Sequence, residues 1–194
     1  MNWSINGKTV KSLMKDGKEI VKVERVEDGK ILYEKESNNN YVVATVTGNR
    51  ITLGQGNYQW LESVGNVVID WGDGTSDIVN NPTTPLSHTC NDGLSNHDIT
   101  FIGEVTSLGI GCFMHCTGLT SVTIPNSVTS LGNYCFMSCN SLIDYQLYWT
   151  GNNIITYDSN KMPNNTNTVF TIPNGETANY VAKGYPSSKL TERS

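Results

Sequence analysis

The chain has 194 residues, 37% of them hydrophobic and 16% charged, and a formal net charge of -5. That length allows one large domain or a few small ones, and the negative balance argues against an electrostatic grip on nucleic acid or an anionic membrane, each of which needs a basic patch. No apolar run approaches the ~18 residues needed to span a bilayer, and the opening MNWSINGKTVKSL lacks the apolar stretch of a signal peptide, so none is expected. The one basic cluster (Lys8, Lys11, Lys15, Lys18, Lys22) is interleaved with acids. Gly, Asn, Ser and Thr are plentiful and no window carries a long helical period, so the fold class is mainly β.

Residues 1–36 read as a small N-terminal β-hairpin module. Asn6-Gly7, Asp16-Gly17 and Asp28-Gly29 are hairpin-turn dipeptides at intervals of about ten residues. Between them lie short strand candidates at 9–14, 19–26 and 30–34. The non-alternating Ile20, Val21, Val23 and Val26 suggest a bulge or partial helix. So small a segment is expected to pack on a neighbour, either as an attachment or assembly module or as a cover for a sheet edge. The pattern NGK…V…DGK resembles short N-terminal pieces of phage and prophage virion proteins. Ser37-Asn38-Asn39-Asn40 is a polar break.

Residues 41–103 read as a β domain. Tyr41–Thr47 is β-branched, Gly48-Asn49 turns the chain, and VVIDW (67–71) runs into the tight turn Gly72-Asp73-Gly74-Thr75. Trp71 is expected to anchor one sheet face. Residues 76–96 read mostly as loop, and 97–102 as a closing strand. The string VVIDWGDGTSD followed by His88 resembles a PKD-type immunoglobulin-like β-sandwich, in which a W-G-D-G turn precedes an H-x-aromatic strand. Cys90 stands where that family has the aromatic. The resemblance implies a spacer or binding scaffold. Asp70, Asp73 and Asp77 are candidate calcium ligands, although calcium wants six to eight oxygens and the 12-residue loop with a terminal Glu is absent. The competing account is a turn held by hydrogen bonds.

From residue 105 the chain writes one 23-residue unit twice: VTSLGIGCFMHCTGLTSVTIPNS (105–127) and VTSLGNYCFMSCNSLIDYQLYWT (128–150), with ten identical positions. A fixed period of this size is the mark of a solenoid, because one unit cannot bury its apolar face alone. Stacking at the period places Leu108 over Leu131, Phe113 over Phe136 and Leu119 over Leu142. LTSVTI (119–124) is a strand, Cys112-Phe113 suits a 3₁₀ turn, and Pro125 stands just beyond the ladder. TIPN recurs at 171–174, 48 residues after 123–126, marking a degenerate third unit beyond an Asn-rich excursion at 151–167. Glu176–Lys183 reads as a short closing helix stopped by Gly184 and Pro186.

LTSVTIPNSVTSLGNYCF (119–136) resembles the leucine-rich repeats of the BspA type, and IPNGETANYVAKGYPSSKL (172–190) resembles the closing element of such arrays. The resemblance covers about residues 104–190. It implies a right-handed solenoid with one parallel strand per unit, and a role in adhesion and protein or host-surface binding. It carries no catalytic residues to transfer and no cofactor.

Cys112, Cys116, Cys135 and Cys139 repeat a C-x₃-C pair at the 23-residue period. They are candidates for a zinc site, against the simpler reading of stacked core cysteines. The five cysteines are an odd number. His88, His97 and His115 show no spacing with a Ser, Cys or Asp that marks a triad.

Ligand-binding candidates lie on the strands of the array: Thr120, Ser121, Thr123, Asp144 and Gln146, with Tyr145, Tyr148 and Trp149 either adding an aromatic patch or sealing the solenoid end. The domains expected are thus 1–36 (attachment or assembly), 41–103 (PKD-like β-sandwich) and 104–190 (repeats with a C-terminal cap). The function expected is non-enzymatic recognition on a virion or at an extracellular cell surface, with a surface protein or glycan, neighbouring virion proteins or a second copy of the chain as partner. The alternatives are a structural decoration or assembly protein and, lacking paired carboxylates in a cleft, a surface-glycan hydrolase.

Overall fold

The computed structural model describes residues 2–5, 8–15, 18–25, 31–36, 41–162 and 165–193. Near the N-terminus β1 (Asn2–Ile5), β2 (Lys8–Lys15), β3 (Lys18–Arg25) and β4 (Ile31–Glu36) pair antiparallel in chain order as a sheet of their own. The β3–β4 register slips once, between Val23 and Glu24. The dipeptides Asn6-Gly7, Asp16-Gly17 and Asp28-Gly29 and the break at 37–40 lie outside the described residues.

Six strands follow: β5 (Val42–Thr47), β6 (Arg50–Leu53), β7 (Leu61–Asp70), β8 (Ser76–Val79), β9 (Leu86–Thr89) and β10 (Asn96–Leu108). In β5, Val42, Ala44 and Val46 are buried while Val43 and Thr45 are half-buried on the other side. This period of two lets one face of a strand enter the core. The repeats then supply β11 (Leu119–Ile124), β12 (Ser130–Leu131), β13 (Asp144–Leu147) and β14 (Val169–Ile172), and the end of the chain supplies α1 (Thr177–Ala182) and β15 (Leu190–Glu192).

These strands do not divide at 103/104, where the boundary between sandwich and repeats was expected. One sheet runs in the order β15-β14-β13-β11-β5-β10-β7-β8, with β12 beside β10, and β6 and β9 form a separate pair. β10 crosses the expected boundary without a break. Its first half lies antiparallel to β5, from Asn96 opposite Thr47 to Phe101 opposite Val42. Its second half pairs antiparallel with the start of β7 (Leu108 opposite Leu61) and parallel with β12 (Leu108 opposite Leu131). Bulges between Ile102 and Glu104 and between Val105 and Ser107 separate the halves and bend the strand. β5 has β10 on one side and β11 on the other, so residues 41–103 are not a free-standing sandwich. They are the N-terminal cap of the solenoid, covering strand edges that a repeat array otherwise leaves open.

Beyond the cap the ladders are parallel. Ser121 lies opposite Asp144 and Val122 opposite Tyr145, one 23-residue step on. Tyr145 lies opposite Phe170 and Phe170 opposite Leu190, longer and shorter steps respectively. The VTSL stretches form a second ladder, in which the hydroxyls of Ser107 and Ser130 are 2.8 Å apart. Gly109 and Gly132 end the two VTSLG stretches for a steric reason. A Cβ on Gly132 would lie 2.4 Å from the carbonyl carbon of Gly109, and one on Gly109 would lie 2.1 Å from the carbonyl oxygen of Gln59. The coils approach too closely there for any side chain.

The core is one cluster of buried residues from Val42 to Tyr185. Phe113 and Phe136 stack with centroids 5.3 Å apart and planes 10° from parallel, as the repeat period predicts. The aromatic series extends both ways: Phe101 lies 5.7 Å from Phe113, Tyr145 lies 5.0 Å from Phe136, and Phe170 and Tyr185 follow. Each such side chain, fully buried, contributes about 1.5–3 kcal/mol. The closing helix adds Tyr180, whose hydroxyl donates to the Trp149 carbonyl at 3.0 Å.

Candidate functional site

The strands of the large sheet expose one polar face. Alternation within β11 and β13 turns Val122, Ile124, Tyr145 and Leu147 inward and leaves Ser121, Thr123, Asp144 and Gln146 half-exposed. The registers line these side chains up in rows. One row runs Asp98, Thr45, Ser121, Asp144 and Val169; the next runs Thr100, Val43, Thr123, Gln146, Thr171 and Thr191. The face therefore crosses from the cap into the repeats without interruption.

Hydrogen bonds fix the polar groups in place. The Thr45 hydroxyl donates to Asp98 Oδ1 at 2.7 Å, and the Ser121 hydroxyl donates to Thr45 Oγ1 at 3.4 Å. Asp144 accepts from Gln146 Nε2 at 2.9 Å and from Thr171 Oγ1 at 3.3 Å. Thr120 leans on the cap, donating to the Thr45 carbonyl at 3.1 Å. At one rim the Arg193 guanidinium lies 3.7 Å from the centre of the Tyr148 ring and donates to the Leu147 and Thr171 carbonyls, a cation–π contact backed by hydrogen bonds.

Of the eight residues expected to meet a ligand, six thus lie on or beside this face. Tyr145 and Trp149 do not. Both are fully buried, because Tyr145 occupies the inward position of Val122 one coil later and Trp149 reaches back to donate its indole N–H to the Val128 carbonyl at 2.7 Å. They build the core and offer no binding patch. Conversely, Thr45, Asp98 and Thr100 of the cap and Thr171, Thr191 and Arg193 of the end belong to the face and were not singled out in the sequence. Only the strand order brings them there.

The expected calcium ligands do not converge. Asp70 accepts from the Gly72 amide at 3.0 Å and Asp77 from Trp71 Nε1 at 2.9 Å. Asp73 accepts from the Thr75 amide and hydroxyl and from His88. This is the turn held by hydrogen bonds. For the Asp73 carboxyl, burial acts to raise the pKa, but the hydrogen bonds from Thr75 and His88 outweigh it and hold the group down at about 2.

The four repeat cysteines are free and buried, and they serve the stacking of coils rather than a common centre. The Cys116 thiol donates to the Thr52 carbonyl at 3.2 Å and the Cys139 thiol to the Phe113 carbonyl at 3.0 Å, each reaching one layer back. Burial pushes the Cys112 thiol up, and its neighbour Cys135, one period on, adds to it. Burial pushes the Cys116 thiol up to about 12, with the neighbouring Cys135 adding to it. Next to His115 it is therefore a protonated thiol and not a nucleophile at neutral pH. Those two residues line a hollow of about 360 Å³ with Arg50, Gln55 and Ser141. A second hollow of about 560 Å³, between the second coil and the excursion after it, is lined by residues such as Ser130, Asn152, Thr156 and Lys161.

A capped solenoid with a core of stacked coils defines a repeat protein. The family described as BspA type leucine rich repeat region matches residues 81–180, more than half of the chain, and the chain belongs to that family. The match begins between β8 and β9, ahead of residue 104, so it too crosses the expected boundary. No curated protein and no solved structure matches the chain. Membership in a family of interaction repeats makes this a non-enzymatic protein. Among the described residues no helix is long and apolar enough to cross a membrane.

Proposed function

We propose that this protein recognises a protein or glycan at a cell surface through the outward face of its large sheet. The observation that carries the reading is the pair of continuous, mostly polar rows that start at Asp98 and Thr100 in the cap and run through the repeats to Val169 and Thr191 at the far end. The rows offer hydroxyls, an amide and carboxylates at regular strand spacing, with Tyr148 and Arg193 as an aromatic and cationic rim. Held by neighbours, these groups lose little freedom on binding, which favours affinity. The polar chemistry suits sugar hydroxyls and the rim of a protein epitope alike.

On this reading the separate sheet of residues 2–36 is the attachment module, docking the protein on a virion or an extracellular surface. That same sheet supports a second reading, a decoration or assembly protein of a particle or surface layer that meets no receptor.

The test compares two double variants of the full chain, each with unchanged circular dichroism, on a panel of intact cells and a glycan array. Thr123→Arg with Gln146→Arg alters the face. Thr117→Arg with Asn140→Arg alters exposed positions elsewhere on the coils. The face variant is expected to lose about tenfold or more in affinity, or ~1.4 kcal/mol, while the other binds like the parent. The opposite pattern removes the sheet face from the account. Attachment confined to isolated particles and abolished by deleting residues 1–40 favours the assembly reading.

A further inference from the structure

The turn at 72–75 and the end of β9 bring together three side chains that neither the solenoid nor its face requires. His88 and Cys90 are two residues apart on one strand course and so point to the same side. Asp73 reaches them from the turn between β7 and β8. The carboxylate, imidazole and thiol donor atoms all lie within 4.8 Å of one another, and this is the one such trio of ligand-type side chains among the described residues.

The trio is held in place by its surroundings. Thr75 donates its amide (2.9 Å) and hydroxyl (2.6 Å) to Asp73 Oδ1. This leaves Oδ2 facing His88 Nε2 at 2.8 Å. The imidazole is stacked on Trp71, centroids 4.7 Å apart and planes 7° from parallel. Trp71 is itself anchored through Nε1 to Asp77. Cys90 is buried, the Asp73 side chain is only 4% exposed, and His88 keeps 18% of its side chain exposed, leaving one side open to a water.

We propose that Asp73, His88 and Cys90 form a binding site for a borderline d-block dication of the zinc type, with water as the fourth ligand. An oxygen, a nitrogen and a sulfur donor suit zinc and not calcium or magnesium, which select oxygen. In a tetrahedral zinc site, bonds of about 2.0–2.3 Å put donor atoms about 3–4 Å apart. Small side-chain shifts reach that from the observed spacing. Binding at Nε2 uses the neutral imidazole with its proton on Nδ1, so the hydrogen bond between Asp73 and His88 gives way to two metal bonds, and the thiol proton of Cys90 is released to solvent. Burial, with the charges of Asp73 and Asp92, pushes that thiol up to about 11, and a bound dication reverses the local field that does so. The ion ties the β7–β8 turn to β9 and so braces the cap. This inference does not rest on the recognition reading.

The test uses the full chain, reduced with a thiol-free reductant and titrated with cobalt(II) as the spectroscopic stand-in for zinc. One equivalent of cobalt is expected to give a thiolate-to-cobalt charge-transfer band that zinc(II) bleaches. Cys90→Ser abolishes the band, Cys112→Ser and Cys139→Ser leave it, and His88→Ala weakens cobalt binding by about tenfold or more. Should Cys90→Ser fail to fold, alkylation of the parent protein with and without zinc, read by mass spectrometry, decides the matter, because zinc is expected to slow alkylation of Cys90 alone. Absence of a charge-transfer band in the parent, a band that survives in Cys90→Ser, or alkylation of Cys90 at the same rate with and without zinc overturns the proposal.

Discussion

At the scale of single residues the repeats are governed by two close contacts, glycine against backbone and thiol against carbonyl. Gly132 sits where a Cβ would lie 2.4 Å from the backbone of the preceding coil. Neither partner is a flexible side chain, so the coils must part. Gly132→Ala is expected to destabilise the protein by about 1–3 kcal/mol, measured by denaturant unfolding, although alanine is otherwise as small as a side chain can be. The buried thiols make a second, chemical prediction. Burial raises Cys116 to about 12 from an ordinary 9.0, and it raises Cys112 and Cys139 as well. The folded protein thus holds protons that the unfolded chain releases above pH ~9. The contribution of these groups is complete below that pH and is lost as pH rises toward about 12. Unfolding midpoints followed from pH 8 to alkaline conditions are expected to fall, and Cys112→Ala with Cys139→Ala is expected to flatten the fall. A midpoint constant through that range contradicts the assignment of these thiols to the core.

At the scale of elements, the cap and the coils depend on each other. β5 is hydrogen-bonded to β11 on one side and to β10 on the other. A fragment of residues 104–194 begins in the middle of β10 and loses both β5 and β7. It exposes the edge of β11 and the inward faces of Leu119 and Val122. It is expected to aggregate or to show no cooperative unfolding transition, whereas residues 41–194 retain one, as scanning calorimetry can establish.

Much of the repeat region was legible beforehand because identity recurs where stacking demands it: Phe113 and Phe136 fall at one repeat position and meet in the core. The same logic, carried one step further, would have placed Tyr145 inside, since it aligns with Val122. Its aromatic neighbours Tyr148 and Trp149 instead left the stretch open to two readings, a binding patch or a seal on the solenoid end. Trp149 aligns with Asn126 and carried no such signal. The boundary at 103/104 was misread because two bulges interrupt the alternation of β10 just there, so a continuous strand looks like an end and a beginning. The cap residues of the face, Thr45, Asp98 and Thr100, were invisible for a different reason. Their place depends on β5 pairing with β11 across some 75 residues of chain, and local sequence does not encode a partner so far away.

At the scale of the whole molecule, the described residues from 41 to 193 share one core, the cap and the coils join in one large sheet, and the proposed recognition face exists only because that sheet is continuous. An independently folding sandwich could tilt against the repeats and break the rows between Thr45 and Ser121. A shared core makes the cap and the coils open together. The most direct test is native-state hydrogen exchange of the full chain under denaturant. The account predicts that amides of β5 and of the first half of β10 exchange with the same opening free energy as those of β11 and β13. A cap whose amides exchange through a separate, lower-energy opening while β11 and β13 stay protected would contradict it.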